Sequence, residues 1–275
     1  MGTSRYMNVL GYEIHVTEWG DREKPPLVMW HGLARTGRDF DDIARVLSDR
    51  YWILCPDTIG RGLSQWATDP ADYGIDFYGK LAVAFIDAHG IDKLRWLGLS
   101  MGGAIGIHLA GGALKDRMTH FVVNDIGPEL PGPAVERIKG YAGKPPSFKT
   151  VSELEAFFRI AYKPYGDLTD EQWRRLTETS VRRNPDGSVT PHYDPRMVGQ
   201  FERYPDDYNQ WDVWKRITAK TLLLRGADSD LLLPEVAIQM TLSGPKAKLV
   251  TFPGCGHAPA LNVPEQISVI EEFLA

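Results

Sequence analysis

The segment WLGLSMGGAIG, residues 96–106, places one hydroxyl between an apolar run and a cluster of glycines. The apolar run predicts a buried strand, and the residues after Ser100 predict a helix. Gly102, Gly103 and Gly106 weaken that helix, because each internal glycine costs about 1 kcal/mol relative to alanine. The pattern GLSMG fits G-x-S-x-G, in which a strained turn between a strand and a helix exposes a serine Oγ. We therefore predict that Ser100 is a nucleophile and that the glycines make room for neighbouring backbone.

The order of strands and helices around this turn predicts the architecture. Apolar runs and segments of helical spacing alternate up to residue 127 and again from about residue 216. Such repeated strand–helix units predict an α/β fold with a mostly parallel sheet and helices on both faces. Between residues 128 and 215 the alternation stops, and the pattern indicates helices only. We predict a core domain of residues 1–127 and 216–275, with residues 128–215 forming a helical cap, or lid.

Composition and charge argue against several classes of protein. The chain has 275 residues and a net charge of −5, and its basic residues are scattered, so we expect no nucleic-acid surface. No apolar run approaches the roughly 18 residues of a membrane span, and the N-terminal segment lacks the apolar centre of a signal peptide. We expect Cys55 and Cys255 to be reduced thiols in a cytoplasmic protein. The spacing of His and Cys offers no tetrahedral metal site, and we expect neither a metal nor a cofactor. No oligomeric state is predicted.

A nucleophilic serine needs a base, and the base needs a carboxylate that orients it. His257 follows the last apolar strand, in PGCGHAPALNVPE, where ligands bind in open α/β sheets, and it is the base that we predict. Three aspartates compete for the role of the acid. Asp125 ends the strand HFVVND, whereas Asp228 and Asp230 lie in the loop after LLLRG.

Five short motifs extend over nearly the whole chain: HG after the third strand, PDTIGRGLS after the fourth, GLSMGG, RGADSDLLLP and PGCGHAP. On these motifs the sequence resembles the α/β-hydrolase superfamily. The resemblance implies an eight-stranded, mostly parallel sheet with the cap inserted after strand 6. It favours Asp230 as the acid, because the family commonly has an acid four residues before a proline, here Pro234, although some relatives place it where Asp125 stands. Asp228 is then expected to face solvent and Asp125 to stabilise the turn at Gly127–Pro128.

The resemblance also implies an oxyanion hole made of two backbone N–H groups, those of Met101 and Leu33. Fixed donors are needed there because negative charge develops on the substrate oxygen. His31 in the HG motif is expected to support the loop that carries Leu33. Arg35, two residues further on, is a candidate for holding a substrate carboxylate, with a surface ion pair to Asp39 as the alternative.

The function that these residues favour is hydrolysis of a small or medium carboxylic ester, or of a lactone, through an acyl-enzyme on Ser100. One alternative is a hydrolase that cleaves carbon–carbon bonds in vinylogous 1,5-diketones with the same residue types, although HGLARTG departs from the HGxGPG-like stretch of those enzymes. Another is a receptor that keeps the triad and binds a small molecule without turnover. Phe158, Tyr162 and Trp211 are candidates for lining a substrate pocket, with a place in the core of the cap as the alternative.

Overall fold

The computed structural model of the chain describes residues 2–275, so Met1, the first residue of the predicted core domain, lies outside it. The strands within those residues are β1 (Thr3–Val9), β2 (Tyr12–Trp19), β3 (Pro26–Trp30), β4 (Trp52–Pro56), β5 (Leu94–Leu99), β6 (Met118–Asn124), β7 (Val181–Arg183), β8 (Val189–Pro191), β9 (Lys220–Gly226) and β10 (Lys248–Phe252). The α-helices are α1 (Asp41–Leu47), α2 (Ile75–Ala88), α3 (Met101–Ala110), α4 (Gly132–Ala142), α5 (Val151–Ala161), α6 (Asp170–Glu178), α7 (Gln200–Arg203), α8 (Trp211–Trp214), α9 (Pro234–Leu242) and α10 (Pro264–Leu274).

Eight of the strands form one sheet in the order β1-β2-β4-β3-β5-β6-β9-β10. The pairs β1/β2 and β2/β4 are antiparallel, and all the other neighbours in this sheet are parallel. The predicted eight-stranded, mostly parallel sheet is therefore confirmed. Because parallel strands end at the same edge, the loops after β3, β5, β6, β9 and β10 meet there.

The central strands are buried on both faces, which explains their continuous apolar runs. Successive side chains point to opposite faces, so Trp30 and Trp96 join the apolar cluster that contains α2 and α3 residues, whereas Met29 and Leu97 join the cluster that contains α1 and α10 residues. The rings of Trp30 and Trp96 stack with their centroids 5.3 Å apart. Among residues 2–275, no helix combines the length and the apolar character needed to span a bilayer.

The segment between β6 and β9 contains α4 to α8, but the prediction of helices only is wrong at one place. Strands β7 and β8 pair antiparallel as a hairpin. Its turn, NPDGS, is closed by the Asn184 N–H, which donates to Ser188 O over 2.8 Å, and Gly187 supplies the positive φ of +85°. The strands have only three residues each, too few for a period-two pattern to show in the sequence. The segment also has an apolar cluster of its own, which includes Leu154, Phe158, Trp173 and Val189.

Candidate active site

Ser100 lies on a strained turn between β5 and α3. Its backbone has φ 52° and ψ −117°, a conformation that a non-glycine residue rarely adopts. The Ser100 N–H donates to Asn124 O over 2.9 Å, which fastens the turn to the neighbouring strand β6. A Cβ on Gly102 would overlap the carbonyl oxygen of Trp30, and one on Gly98 would overlap the carbonyl of Gly102. Both glycines therefore permit close backbone packing around the serine.

His257, in the loop after β10, connects this serine to a carboxylate. Its Nε2 lies 2.9 Å from Ser100 Oγ, and its Nδ1 lies 2.8 Å from Asp125 Oδ2. The Asp125 side chain is completely buried, whereas that of His257 is 18% exposed. Since a carboxylate only accepts, Nδ1 carries the proton and Nε2 is left to accept the Ser100 hydroxyl. The three side chains form one directed chain of hydrogen bonds.

Two further hydrogen bonds hold the Asp125 carboxylate in place, and a third fixes its backbone. Asp125 itself has a φ of 59°, and its N–H donates to Leu224 O over 2.8 Å. Its Oδ1 accepts the Gly226 N–H at 2.9 Å, and its Oδ2 accepts the Ser229 hydroxyl at 2.6 Å. These hydrogen bonds fix the orientation of the carboxylate toward His257.

The expectation that Asp230 contacts His257 is wrong. Asp230 is exposed, and its carboxylate pairs with Arg137 of α4 at 2.7 Å. The residue of this loop that turns inward is Ser229, whose hydroxyl reaches Asp125 and also accepts the N–H groups of Leu231 and Leu232. The inward position after β9 is thus filled by a hydroxyl, and the carboxylate comes from the end of β6.

The structure agrees with the expectation for one of the other two aspartates and not with that for the second. Asp228 is exposed, as expected. The Asp125 carboxylate contacts the loop after β9 and His257 rather than the turn at Gly127–Pro128. The sequence contains one signal that favours Asp125 as the carboxylate beside His257. Aspartate tolerates a positive φ better than most residues do, and Asp125 directly follows a buried strand.

The two amides predicted for an oxyanion hole lie beside Ser100. Met101 is the first residue of α3, and Leu33 follows Gly32, whose Cβ position is 3.6 Å from the Cβ of Ser100. In residues 2–275 neither amide donates to a protein acceptor. Arg61, which the sequence reasoning missed, is fully buried between the two loops. Its Nε donates to Leu33 O at 2.8 Å, and its Nη2 lies 3.4 Å from the Met101 sulfur.

His31 supports the same loop, as expected. Its Nδ1 donates to Gly32 O at 2.7 Å, and its Nε2 accepts the Thr58 N–H at 2.9 Å. Burial lowers the pKa of His31 to about 4, so the ring is neutral and both contacts are satisfied. A neutral imidazole that makes two hydrogen bonds therefore fixes the loop that carries Leu33.

The residues proposed from sequence for substrate binding have different surroundings. Arg35 pairs with Asp39 through Nε and Nη2, at 2.8 and 2.5 Å, so the alternative named the right partner. The expected surface position is wrong, because the Arg35 side chain is buried. Tyr162 lies against Arg35, with the guanidinium carbon 4.7 Å from the ring centroid. Phe158 is fully buried in the apolar cluster of the inserted segment. The indole of Trp211 donates to Glu129 at 2.7 Å.

Phe158 and Trp211 therefore do not fit a pocket at Ser100. Phe158 contributes to the packing of the inserted segment, and Trp211 packs against the apolar cluster of the main sheet. In the part of the chain that the structure describes, no group of three or more His, Cys, Asp or Glu side chains is arranged to hold a metal ion.

A comparison with protein-family models matches residues 27–268 to the model described as the alpha/beta hydrolase family. This chain belongs to the alpha/beta hydrolase family. The hydrolase is 38% identical over 266 residues to the 3-hydroxybutyrate-oligomer hydrolase of Cupriavidus necator, a match that covers 93% of this chain and 90% of the relative. It is 25% identical over 262 residues to the 2-hydroxy-6-oxo-6-phenylhexa-2,4-dienoate hydrolase of Burkholderia cepacia, covering 90% of this chain and 85% of that protein.

Solved structures agree with this assignment. A putative hydrolase from Rickettsia typhi superposes on the hydrolase with a TM-score of 0.91 and 28% identity, covering 100% of this chain and 98% of the other. An alpha/beta hydrolase from Novosphingobium aromaticivorans gives a TM-score of 0.86 and 32% identity, covering 99% and 98% of the two chains.

Proposed function

We propose that this hydrolase cleaves esters of short hydroxy acids through an acyl-enzyme on Ser100. The observation that carries the proposal is the unbroken chain from Ser100 through His257 to Asp125, with the amides of Leu33 and Met101 beside it. The substrate class is supported by the resemblance to a hydrolase of 3-hydroxybutyrate oligomers, which are linear esters that end in a carboxylate.

The first half of the proposed reaction forms the acyl-enzyme. Ser100 Oγ attacks the ester carbonyl carbon while its proton passes to His257 Nε2. The carbonyl electron pair moves to oxygen, and the N–H groups of Leu33 and Met101 bind that oxyanion. Asp125 stabilises the imidazolium. The intermediate then collapses, the bond to the alcohol oxygen breaks, and Nε2–H protonates the departing alkoxide.

The second half removes the acyl group. Water attacks the acyl carbon and gives a proton to His257 Nε2, and the same two amides bind the second oxyanion. Collapse breaks the bond to Ser100 Oγ, which takes the proton back from Nε2. The products are an alcohol and a carboxylic acid, and the enzyme returns to its starting state.

We also propose that residues 128–215 act as a cap over this site. Two contacts tie the segment to the loop that carries His257: the Gly256 N–H donates to Pro164 O at 2.7 Å, and the Ala260 N–H donates to Tyr165 O at 3.3 Å. On the other side the Asp194 N–H donates to Gly60 O at 2.7 Å. Segments so attached support a role in enclosing the substrate and excluding water.

The test combines a covalent probe with a substrate panel. A fluorophosphonate should add one mass increment, on the peptide that contains Ser100. The wild-type protein should hydrolyse p-nitrophenyl butyrate and the linear 3-hydroxybutyrate dimer. Labelling of a different serine would contradict the nucleophile assignment. Turnover of a vinylogous 1,5-diketone with no turnover of either ester would replace the proposal by carbon–carbon bond hydrolysis, the chemistry of the Burkholderia cepacia relative's named substrate.

A further inference from the structure

Arg35 has an unused donor in a place where donors are normally satisfied. Its side chain is 3% exposed, and Asp39 accepts from its Nε and Nη2. Its Nη1 has no hydrogen-bond partner within residues 2–275. The guanidinium lies over the ring of Tyr162, which the structure leaves partly exposed. Buried N–H groups without a partner are rare in native proteins, and this one, beside a partly exposed tyrosine, is available to a ligand.

Four tyrosines form a group that begins at this guanidinium, and their hydroxyls are unused as well. The Tyr162 ring lies over Arg35, the ring centroids of Tyr162 and Tyr165 are 5.1 Å apart, and Tyr141 and Tyr193 are close enough to Tyr162 to interact with it electrostatically. None of the four hydroxyls has a protein partner among the described residues. Tyr165 and Tyr193 are only 8% and 4% exposed, and their hydroxyl oxygens are an accessible part of each side chain. We call these four side chains and Arg35 the Arg35–tyrosine cluster.

The cluster is attached to the loops that carry the candidate active site. The Cβ position of Gly32 lies 3.6 Å from the Cβ of Ser100 and 3.7 Å from the Cγ of Arg35. Tyr165 belongs to the segment that is hydrogen-bonded to the His257 loop on both sides of the histidine. The backbone of Tyr193 forms an isolated antiparallel β-bridge with that of Arg61, and the Arg61 side chain donates to Leu33 O. A substrate bound at Ser100 can therefore extend toward the cluster.

The chemistry of the cluster selects a group that only accepts hydrogen bonds. Burial raises the pKa of Tyr165 and of Tyr193 well above the usual range of a phenol, so both are protonated donors at neutral pH. The nearest carboxylate, Asp39, is already engaged by Arg35. A ligand hydroxyl would find donors but few acceptors, whereas a carboxylate can use several donors at once.

We propose that the Arg35–tyrosine cluster binds the free carboxylate of a short hydroxy-acid oligoester whose scissile bond lies at Ser100. The inference rests on the proposed function and adds the feature that determines specificity. The phenol hydroxyls receive the carboxylate first, and a change in the side-chain rotamer of Tyr162, which covers Arg35, opens Nη1 to it. The enzyme would then act near the carboxylate end of its substrate.

The test compares two forms of one substrate, the 3-hydroxybutyrate dimer with a free carboxylate and its methyl ester. Cleavage of the internal ester is followed by chromatography in both cases. Wild type should prefer the free acid in kcat/KM. In Tyr165→Phe and Tyr193→Phe, which remove one hydroxyl each, this preference should fall about tenfold through KM, because a hydrogen bond to a charged group is lost. Arg35→Lys, which keeps the charge beside Asp39 but removes Nη1, should show the same selective loss.

Tyr204→Phe is the matched control, since the Tyr204 hydroxyl donates to Ala71 O at 2.9 Å outside the cluster. It should leave the preference at the wild-type value. Equal losses on the acid and on the methyl ester, or no loss, would overturn the carboxylate subsite. Inhibition by 3-hydroxybutyrate gives a second readout, and the inhibition constant should rise in Tyr193→Phe.

Failure of the subsite can be told from failure of the proposed function. If wild type hydrolyses p-nitrophenyl butyrate and both dimers equally well, the subsite is absent and the ester hydrolysis stands. If wild type hydrolyses none of the three and Ser100 takes no probe, the proposed function itself is wrong.

Discussion

The candidate active site has a counterpart on the outermost strand β1 and its neighbours β2 and β4, with the same three side-chain types. There Ser4 of β1 lies 2.6 Å from His15 Nε2, and His15 Nδ1 lies 2.8 Å from Asp57 Oδ2, just after β4. These distances are close to the 2.9 Å between Ser100 and His257 and the 2.8 Å between His257 and Asp125. The order Ser, His, Asp is therefore present twice in one chain.

The two chains of hydrogen bonds differ in everything around the serine. Ser4 lies in an extended strand at the outer edge of the sheet and is exposed. Ser100 lies on a turn with a positive φ, beside two amides that have no protein acceptor in the described residues. Asp57 also accepts the Gly37 and Leu63 N–H groups, at 2.7 and 3.0 Å, and so joins two loops. The edge arrangement thus has the contacts of a structural network.

This difference teaches that distances among three side chains do not define a catalytic site. A nucleophile also needs donors placed where the oxyanion will form, and these contribute about 3–4 kcal/mol each by mutagenesis of other enzymes. The proposed donors at Ser100 are the amides of Leu33 and Met101, and Met101 begins a helix, whereas Ser4 lies in an extended strand and has no helix N-terminus beside it. The following predictions test the comparison.

The largest difference between the two regions is expected when each serine is replaced by alanine. Ser100→Ala should lower kcat on p-nitrophenyl butyrate by about 10⁴ to 10⁶, because no other group can form the acyl-enzyme. The Ser100→Ala protein should also take no fluorophosphonate. Ser4→Ala should leave kcat and labelling within twofold of wild type. Mass mapping of the labelled peptide in each variant is the measurement, and label on Ser4 in the Ser100→Ala protein would show that the edge serine is reactive.

The next largest effect is expected from the two aspartates, Asp125 near Ser100 and Asp57 near Ser4. Asp125→Asn should lower kcat by about 10⁴, because an amide at this position holds His257 in the unproductive tautomer. Asp57→Asn should act mainly on stability and lower the free energy of unfolding by about 1–3 kcal/mol, since a buried network loses its charge. Steady-state kinetics and denaturant unfolding of both variants measure the two effects.

Asp230→Asn is the control for the acids, because Arg137 is the one partner of the Asp230 carboxylate within residues 2–275 and the pair is exposed. Exposed ion pairs contribute about 0–1 kcal/mol, so its kcat and stability should stay close to wild type. A folded Asp125→Asn protein with normal kcat would show that another residue orients His257.

The last test is the pH dependence of stability, in which no change of catalytic rate is involved. The pKa of His31 is about 4 in the folded protein and about 6.5 when unfolded, so the unfolded chain binds more protons between these values. Stability should therefore be fully present above pH 6.5 and fall by about 3 kcal/mol as the pH drops to 4. Burial is the largest single influence on the pKa of Asp57 and raises it, but the hydrogen bonds from His15 and the Leu63 N–H and the two nearby imidazoles together outweigh burial and lower the pKa. The contribution of Asp57 is present above pH 3.8 and is lost below it.

Urea unfolding at pH 7, 5 and 3.5 separates these contributions. His31→Asn should flatten the slope between pH 6.5 and 4, and Asp57→Asn should flatten it only below about 4. An unchanged slope in His31→Asn between pH 6.5 and 4 would mean that the ring is not neutral in the folded state.

The sequence by itself determined the sheet, because its strands are apolar runs whose length and spacing are local properties. The alternation of strands and helices predicts parallel connections, and the antiparallel start follows from short separations between the first strands. The turn at Ser100 is also a local feature, since its glycines and its serine lie within six residues. The histidine that contacts Ser100 could be chosen because it follows the last strand at the same edge of the sheet.

Only the tertiary structure decided which carboxylate meets that histidine. Asp125 and the loop after β9 come together because β6 and β9 pair as neighbours, although they are about a hundred residues apart in the chain. The sequence shows aspartates after both strands, but not that Ser229 turns inward and Asp230 outward, since that depends on one residue of loop geometry. The edge network at Ser4 has the same origin. β1, β2 and β4 bring its three side chains together by pairing, and pairing between distant strands is set by the packing of the whole sheet.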